Sequence, residues 1–235
     1  STTCDESSWE QAVAIDGPTG EMSAMTSPAD KIMEVLKPVE FKRREDGRYE
    51  VDFGVEISGW IRLKDITAKA GDTIRIDYEC ESPQGIQRYV CNGSGKESYA
   101  PHFTWFVFRK AYISGIEQLT SSNLQAEAVN SDVAENAVFE CSNPLFNQIL
   151  TIWKRSQKDN MHGSIASDCP HRERLPYTGD GQGACGIVME HFDAATFYAK
   201  WIRDVRDAQN RNDGYVPNSA PWQPGAGGGV AWGAA

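Results

Sequence analysis

Apolar and polar residues alternate through most of the first half of the chain. From residue 49 to residue 79 the apolar positions recur at every second residue, which is the period of a strand with one face on a core. The turn Ala70-Gly71-Asp72 separates two of these runs. The alternating apolar residues are Val51, Phe53, Val55, Ile57, Ile61, Leu63, Ile74, Ile76 and Tyr78.

An aromatic-rich stretch from 88 to 116 continues this pattern, because half-buried pleated surfaces favour aromatic residues. Many short strands with turns between them predict a β-sandwich domain over residues 1–130. The segment 22–37 interrupts the alternation, and we expect a short helical turn there. We expect the aromatic residues before and within the last strands to be sandwich core rather than a sugar platform. They are Phe103, Trp105, Phe106 and Phe108.

Helical periodicity replaces the alternation after residue 131. Ser142 or Asn143 can cap a first helix whose first turn holds Pro144, and this helix is predicted to end near His162. Its apolar stripe comprises Leu145, Ile149, Ile152 and Trp153. We expect His162 to be solvated at the negative end of the helix dipole.

Two further helices are predicted, at 181–191 and at 193–210. Asp180 is the expected N-cap of the second helix, and Asn212-Asp213-Gly214 is expected to stop the third.

Composition and charge narrow the class of partner. The 235 residues are 40% hydrophobic and 24% charged, which is typical of globular proteins, and the net charge is −10. This acidity disfavours binding to nucleic acid or to an anionic membrane surface. No apolar run approaches the roughly 20 residues of a membrane span. The start of the chain does not resemble a signal peptide, and a removed signal stays open.

The six cysteines contain no CxxC pair, so we predict no structural zinc site. Cys80 and Cys91 are close enough in sequence to form a disulfide. We nevertheless expect free thiols, since six cysteines in a chain of this length need not pair.

Charged residues concentrate in the loop DCPHRERLPYTGDGQ at 168–182. Pro170 and Pro176 prevent a regular helix through its centre. Paired carboxylates beside arginines suit general acid–base chemistry, and glycoside hydrolysis in particular requires two carboxyl groups. A solvated loop with internal salt bridges is the alternative that composition alone favours. A metal site is a weaker alternative, because hard cations prefer all-oxygen ligands. Its ligands would come from Asp168, His171, Glu173 and Asp180.

This loop resembles the signature DCPQRxERLGWTGDAQ of bacterial α-L-rhamnosidases, glycoside hydrolase family 78. Four further stretches are also similar to that family, so the resemblance covers residues 45–235. They are YEVDFGVEISGWIRLKDITAKAGDTIRIDYEC, ESYAPHFTWFVFRKAYISG, FECSNPLFNQIL and NDGYVPNSAPW.

The resemblance implies a multi-domain β plus α protein, with a β-sandwich followed by the first helices of an (α/α)6 barrel. Residues 131–235 would then be the N-terminal part of the catalytic domain, and we expect the chain to stop inside it. Members of the family hydrolyse terminal α-L-rhamnosyl residues with inversion and need no cofactor or metal. The general base lies on a later segment in the family, and no residue here corresponds to it.

The resemblance also implies roles for individual residues. Glu173 falls on the general acid, and we expect burial to raise its pKa. Asp168 and Asp180 fall on carboxylates that line the rhamnose site. Arg172 falls on the arginine of the loop, and Trp222 offers a surface for sugar stacking.

Two departures from the signature suggest functions other than rhamnoside hydrolysis. His171 replaces glutamine, and Pro176-Tyr177 replaces Gly-Trp. His171 and Tyr177 would suit a lyase of the same fold that cleaves a rhamnose–glucuronate linkage. A non-catalytic carbohydrate-binding fragment is the other alternative.

The expected partner is a rhamnose-containing carbohydrate, and the expected location is periplasmic or extracellular. An incomplete barrel leaves apolar helix faces uncovered, so we expect exposed hydrophobic surface or covering partner chains, including a homo-oligomer.

Overall fold

The computed structural model describes residues 7–17, 19–80, 85–222 and 232. The strands are β1 (Asp30–Leu36), β2 (Glu40–Arg43), β3 (Tyr49–Ile66), β4 (Thr73–Glu79), β5 (Gln87–Val90), β6 (Glu97–Tyr99), β7 (Phe106–Ser114), β8 (Leu124–Ser131), β9 (Met161–His162) and β10 (Ile165–Ala166). The helices are α1 (Pro144–Asp159), α2 (Thr178–His191) and α3 (Ala195–Ala208), and a 3₁₀ turn covers Ser121–Asn123.

Strand β3 organises an eight-stranded antiparallel sheet with the order β1-β8-β3-β7-β4-β5. Its first residues pair with β2 and β7, whereas its later residues pair with β8 and β6. The register against β7 shifts between Asp52 and Ile57, where Gly54 takes a φ of 84°. Such a bulge bends a strand and increases its twist. The sheet therefore curls around its own core, as the predicted β-sandwich followed by helices requires.

The core of the sheet confirms most of the predicted alternation. Seven of the alternating residues are at most 2% exposed: Val51, Phe53, Ile57, Ile61, Leu63, Ile74 and Ile76. Tyr78 is partly buried against this core, and Val55 is 40% exposed, because the bulge at Gly54 interrupts the alternation there.

The helical turn predicted within 22–37 is wrong. This segment contains β1, which pairs antiparallel with β8 from Asp30 opposite Ser131 to Leu36 opposite Ala126. Its side chains are exposed or partly exposed, as on a sheet edge. Pairing with the sheet supplies backbone hydrogen bonds that outweigh the weak local helical pattern.

The first helix begins as predicted, with the Asn143 side chain accepting from the N–H of Leu145 at 3.0 Å and with Pro144 in the first turn. It ends at Asp159, earlier than predicted, because His162 lies in the short β9–β10 ladder. Helix α2 begins at Thr178, so Asp180 lies in its first turn rather than at its cap.

Helices α2 and α3 pack closely at one glycine. A Cβ atom on Gly181 would lie 2.1 Å from the Trp201 ring, so a larger residue at 181 would force these helices apart. Trp201 itself is 5% exposed.

One face of α1 is apolar and uncovered, as we expected. Its four outward residues are between 52% and 66% exposed: Leu145, Phe146, Ile149 and Ile152. In the described part of the chain, no helix has both the length and the apolar character to cross a membrane.

The thiol prediction holds at Cys91, which is a buried free cysteine, so no disulfide joins it to Cys80.

The predicted aromatic core is confirmed at Phe106 and Phe108 but not at Phe103. Phe103 is fully exposed and has a φ of 59°, because it lies in the turn before β7 rather than on a strand. Trp105 is partly buried and packs outside the sheet core.

A buried polar junction joins the sheet to the residues that follow α1. The Asp159 carboxylate accepts from the N–H of Ser58 at 2.8 Å. His162 Nε2 lies 3.0 Å from the Ser58 hydroxyl, and the His162 ring stacks on Trp105 with centroids 4.0 Å apart. The predicted solvation of His162 is therefore wrong: the residue is 7% exposed, because the chain turns back onto the sheet there.

Replacing Asp159 with asparagine should remove a pH dependence of the free energy of unfolding. Burial raises the pKa of Asp159 from 3.8 to about 7. Its stabilising contribution is therefore fully present below the unfolded pKa and is lost as the pH rises towards 7. Above pH 7 the wild type buries a charge that Asp159→Asn lacks, so the variant should be more stable there by on the order of 2–4 kcal/mol.

Urea unfolding at about pH 4 and about pH 8 measures this difference. Asp213→Asn is the matched control, because Asp213 is exposed and likewise accepts from a backbone N–H, at 2.9 Å from Tyr215. The same pH dependence in the wild type and in Asp159→Asn would contradict the prediction.

Candidate active site

The loop between β10 and α2 is closed by Asp168. Its N–H donates to the carbonyl of Leu175 at 3.1 Å, and its Oδ1 accepts from the N–H of Leu175 at the same distance. This reciprocal pair holds the two ends of the turn together. The intervening residues therefore project from a fixed base rather than from a free loop.

Cys169 lies between the two carboxylates of this turn. Its thiol is 3.1 Å from Asp168 Oδ2 and 3.0 Å from Glu173 Oε2. Burial and these two carboxylates raise the pKa of Cys169, so the sulfur keeps its proton and donates it. The sequence-based expectations for the cysteines cover only disulfides and zinc, and the position of Cys169 directly after Asp168 is the sequence signal for this third role.

The side-chain ligand atoms of Asp168, Cys169 and Glu173 lie within 4.8 Å of one another, close enough to surround an ion. Hydrogen bonding through the protonated thiol explains the same contacts. We therefore assign no metal to this group.

Glu173 is ionised and accessible in this structure. Its side chain is 39% exposed, and Oε2 lies 2.9 Å from Arg172 Nε. Hydrogen bonds from Cys169 and Arg172 lower the pKa of Glu173 to about 2. The expectation that burial raises this pKa is wrong here, because the carboxylate is in water with two donors.

Arg174 points in the opposite direction, into the protein. Its φ is 57°, a left-handed conformation that is uncommon for a residue with a side chain. The guanidinium donates to the carbonyls of Pro170 at 2.9 Å and Trp105 at 3.1 Å. It also lies over the Trp105 ring, 4.6 Å from the centroid. The loop is thus anchored on the β-sandwich.

A second segment runs alongside the end of this loop. Tyr177 forms an antiparallel bridge with Ser219, and the N–H of Thr178 donates to Asn218 at 2.9 Å. The carbonyl of Ala220 accepts from Trp201 Nε1 at 2.8 Å. These bonds fix the residues that lead to Trp222 next to the loop.

The structure brings together three of the predicted site residues, Asp168, Arg172 and Glu173. Asp180 is exposed in the first turn of α2, outside that group. His171 and Tyr177 are partly buried, and Trp222 is 55% exposed on the neighbouring segment. The functional roles of these residues stay predictions.

Two models of known protein families match this chain. The model described as the bacterial alpha-L-rhamnosidase concanavalin-like domain matches residues 42–130. The model described as the bacterial alpha-L-rhamnosidase 6 hairpin glycosidase domain matches residues 134–235.

Individual proteins agree with these matches. An alpha-L-rhamnosidase of Formosa agariphila is 34% identical over 225 residues, which cover 88% of this chain and 23% of that protein. The structure of alpha-L-rhamnosidase from Dictyoglumus thermophilum has a TM-score of 0.84 at 32% identity and covers 92% of this chain and 26% of that one. The structure of Streptomyces avermitilis alpha-L-rhamnosidase complexed with L-rhamnose has a TM-score of 0.80 at 25% identity. The match covers 87% of this chain and 21% of that one. The chain therefore spans about a quarter of the length of these relatives.

Replacing Arg172 with glutamine should raise the pKa of Glu173 from about 2 towards its ordinary value of 4.5. The pKa should remain below 4.5, because the bond from Cys169 persists. Titration of the Glu173 carboxyl carbon by NMR measures the shift.

Arg206→Gln is the matched control, since Arg206 also pairs with the next residue, Asp207, at 3.2 Å. An unchanged pKa of Glu173 in Arg172→Gln would show that this ion pair does not form in solution.

Proposed function

The chain belongs to the family of bacterial α-L-rhamnosidases, and from that membership we propose that the protein hydrolyses terminal α-L-rhamnose from rhamnose-containing carbohydrates. The observation that carries this proposal is the anchored loop with Asp168 and Glu173 on either side of Cys169. A carboxyl group fixed at the surface can serve as the general acid of glycoside hydrolysis, and a second carboxylate beside it can bind the sugar.

Glu173 is the proposed general acid, which protonates the glycosidic oxygen as the bond breaks. It must first take up a proton, because its carboxylate is ionised beside Arg172. The Arg172 side chain is 62% exposed, and ion pairs this exposed are weak. A sugar that displaces Arg172 and excludes water would raise the pKa of Glu173 towards the working pH.

Asp168 and Asp180 are proposed to bind sugar hydroxyls and to stabilise positive charge on the anomeric carbon. Asp168 Oδ1 is committed to the Leu175 amide, which keeps this carboxylate in place. His171, Arg172, Tyr177 and Trp222 would complete the sugar surface.

An inverting mechanism requires a base that activates water from the opposite side of the sugar. Carboxyl groups in inverting sites are about 6.5–9.5 Å apart. The ligand atoms of Asp168 and Glu173 are within 4.8 Å, and the Cys169 thiol lies beside both. Asp168 therefore leaves no room for a sugar and a water, and we assign the base to a residue outside this group.

The lyase alternative is not favoured, because the relatives are named as α-L-rhamnosidases. A periplasmic or extracellular location is part of the proposal, since it would give access to extracellular glycans. We also propose a homo-oligomer in which a second copy of the chain covers the apolar face of α1. Measuring the molar mass of the protein in solution tests this assembly.

Replacing Glu173 with glutamine should reduce turnover of an alkyl α-L-rhamnoside by roughly 10²–10⁴-fold, which is the usual contribution of a general acid. Rhamnose binding should be retained, because glutamine has the same size. Initial rates and calorimetric titration with rhamnose measure the two effects in the complete protein.

Glu190→Gln is the control, since Glu190 is exposed on α2 away from the loop. Wild-type rates from Glu173→Gln would refute the assignment of the acid. Absence of any hydrolysis by the wild type, with rhamnose still bound, would favour the non-catalytic binding protein.

A further inference from the structure

The residue after the proposed acid connects the catalytic loop to the other domain. Arg172 and Arg174 flank Glu173, but only Arg174 is directed into the protein. Its guanidinium has three partners: the Pro170 carbonyl, the Trp105 carbonyl and the Trp105 ring. A left-handed backbone costs on the order of 1–3 kcal/mol and persists only when surrounding contacts hold it. These contacts therefore determine the direction in which the backbone leaves Glu173.

Trp105 in turn is fixed on its own domain. It directly precedes β7, and the first residue of that strand, Phe106, is 7% exposed and lies in the sheet core. The Trp105 ring is nearly parallel to His162, with an interplanar angle of 6°. His162 contacts the Ser58 hydroxyl, and Ser58 is fully buried in β3. A continuous series of packed groups thus runs from β3 to Arg174.

We infer that Trp105, a residue of the β-sandwich, positions the loop that carries Glu173 and thereby sets the alignment of this acid with the glycosidic oxygen. This inference rests on the proposed function. Trp105 is a positioning residue, because it acts through Arg174. A misplacement of about 1 Å at a reacting group can reduce the rate about 10²-fold.

The experiment compares two substrates that differ in their need for the acid. An aryl α-L-rhamnoside with a nitrophenol leaving group departs with little protonation, whereas an alkyl rhamnoside depends on the acid. Trp105→Ala in the complete protein should lower kcat on the alkyl rhamnoside roughly tenfold to hundredfold. On the aryl substrate kcat should change by less than about threefold, and KM should change little on either substrate.

Two further variants separate positioning from general damage. Trp105→Phe keeps a ring face for Arg174 and should restore most of kcat on the alkyl rhamnoside. Trp60→Ala is the matched control, because Trp60 is another partly buried tryptophan of the sandwich, bonded to Glu127 rather than to the loop. It should change both substrates equally or not at all.

An equal loss on both substrates with Trp105→Ala, or no loss, would overturn the inference. So would the same substrate-dependent loss in Trp60→Ala. If Trp105→Ala does not fold, Arg174→Lys provides the same comparison, since lysine keeps the charge but loses the planar group that stacks on Trp105. A wild type that hydrolyses neither substrate refutes the proposed function itself, whereas an active wild type with equal losses refutes only the role of Trp105.

Discussion

Ser58 is a buried point at which the sheet and the helical region are joined. Its N–H donates to Asp159, and its hydroxyl contacts both His162 and the carbonyl of Val129. All of these groups are buried, so each depends on the others for hydrogen bonding. Ser58, together with the Trp105 ring that stacks on His162, holds β9 in place and therefore the start of the charged loop. A buried polar junction of this kind also specifies a single arrangement of the two parts, which apolar contacts alone would define less strictly.

Within the charged loop, different residues make different stabilising contacts. Asp168 closes the turn, Arg174 anchors it, and Cys169 supplies a proton donor between the carboxylates. Between Asp168 and Tyr177, only Arg172 and Glu173 are exposed, as a pair. The groups that hold the loop in place are thus separate from this exposed pair. The many charges of this segment are needed because fixed carboxylates require fixed donors.

The sequence predicted the architecture well wherever local pattern and tertiary contacts agree. Val51, Ile57 and Ile76 follow the period of a strand and are buried, and Asn143 caps α1 as expected. The sequence-based prediction was wrong where a residue far along the chain determines the local structure. The region of β1 reads locally as helical and becomes a strand only because β8 lies beside it.

The same reason explains the errors at the site. His162 was expected in water, and only the fold places Trp105 and Ser58 around it. The ionisation of Glu173 could not be predicted either, since it depends on the hydrogen bonds from Cys169 and Arg172 and on the exposure of the carboxylate. The resemblance pointed to Asp168, Arg172 and Glu173, which lie together, but also to Asp180, which lies apart on α2, and the electrostatics of the group depend on side-chain directions that only the fold determines.

The late position of β8 along the chain has a consequence for biosynthesis. It pairs with β1 and with β3, and Ser131 bonds to Asp30, a residue made 101 positions earlier. The sheet can therefore close only after residue 131 has left the ribosome, and contacts so distant in sequence form slowly. Trp105 and all eight strands of the sheet are synthesised before Arg174. Translation thus supplies the anchor first and the charged loop second.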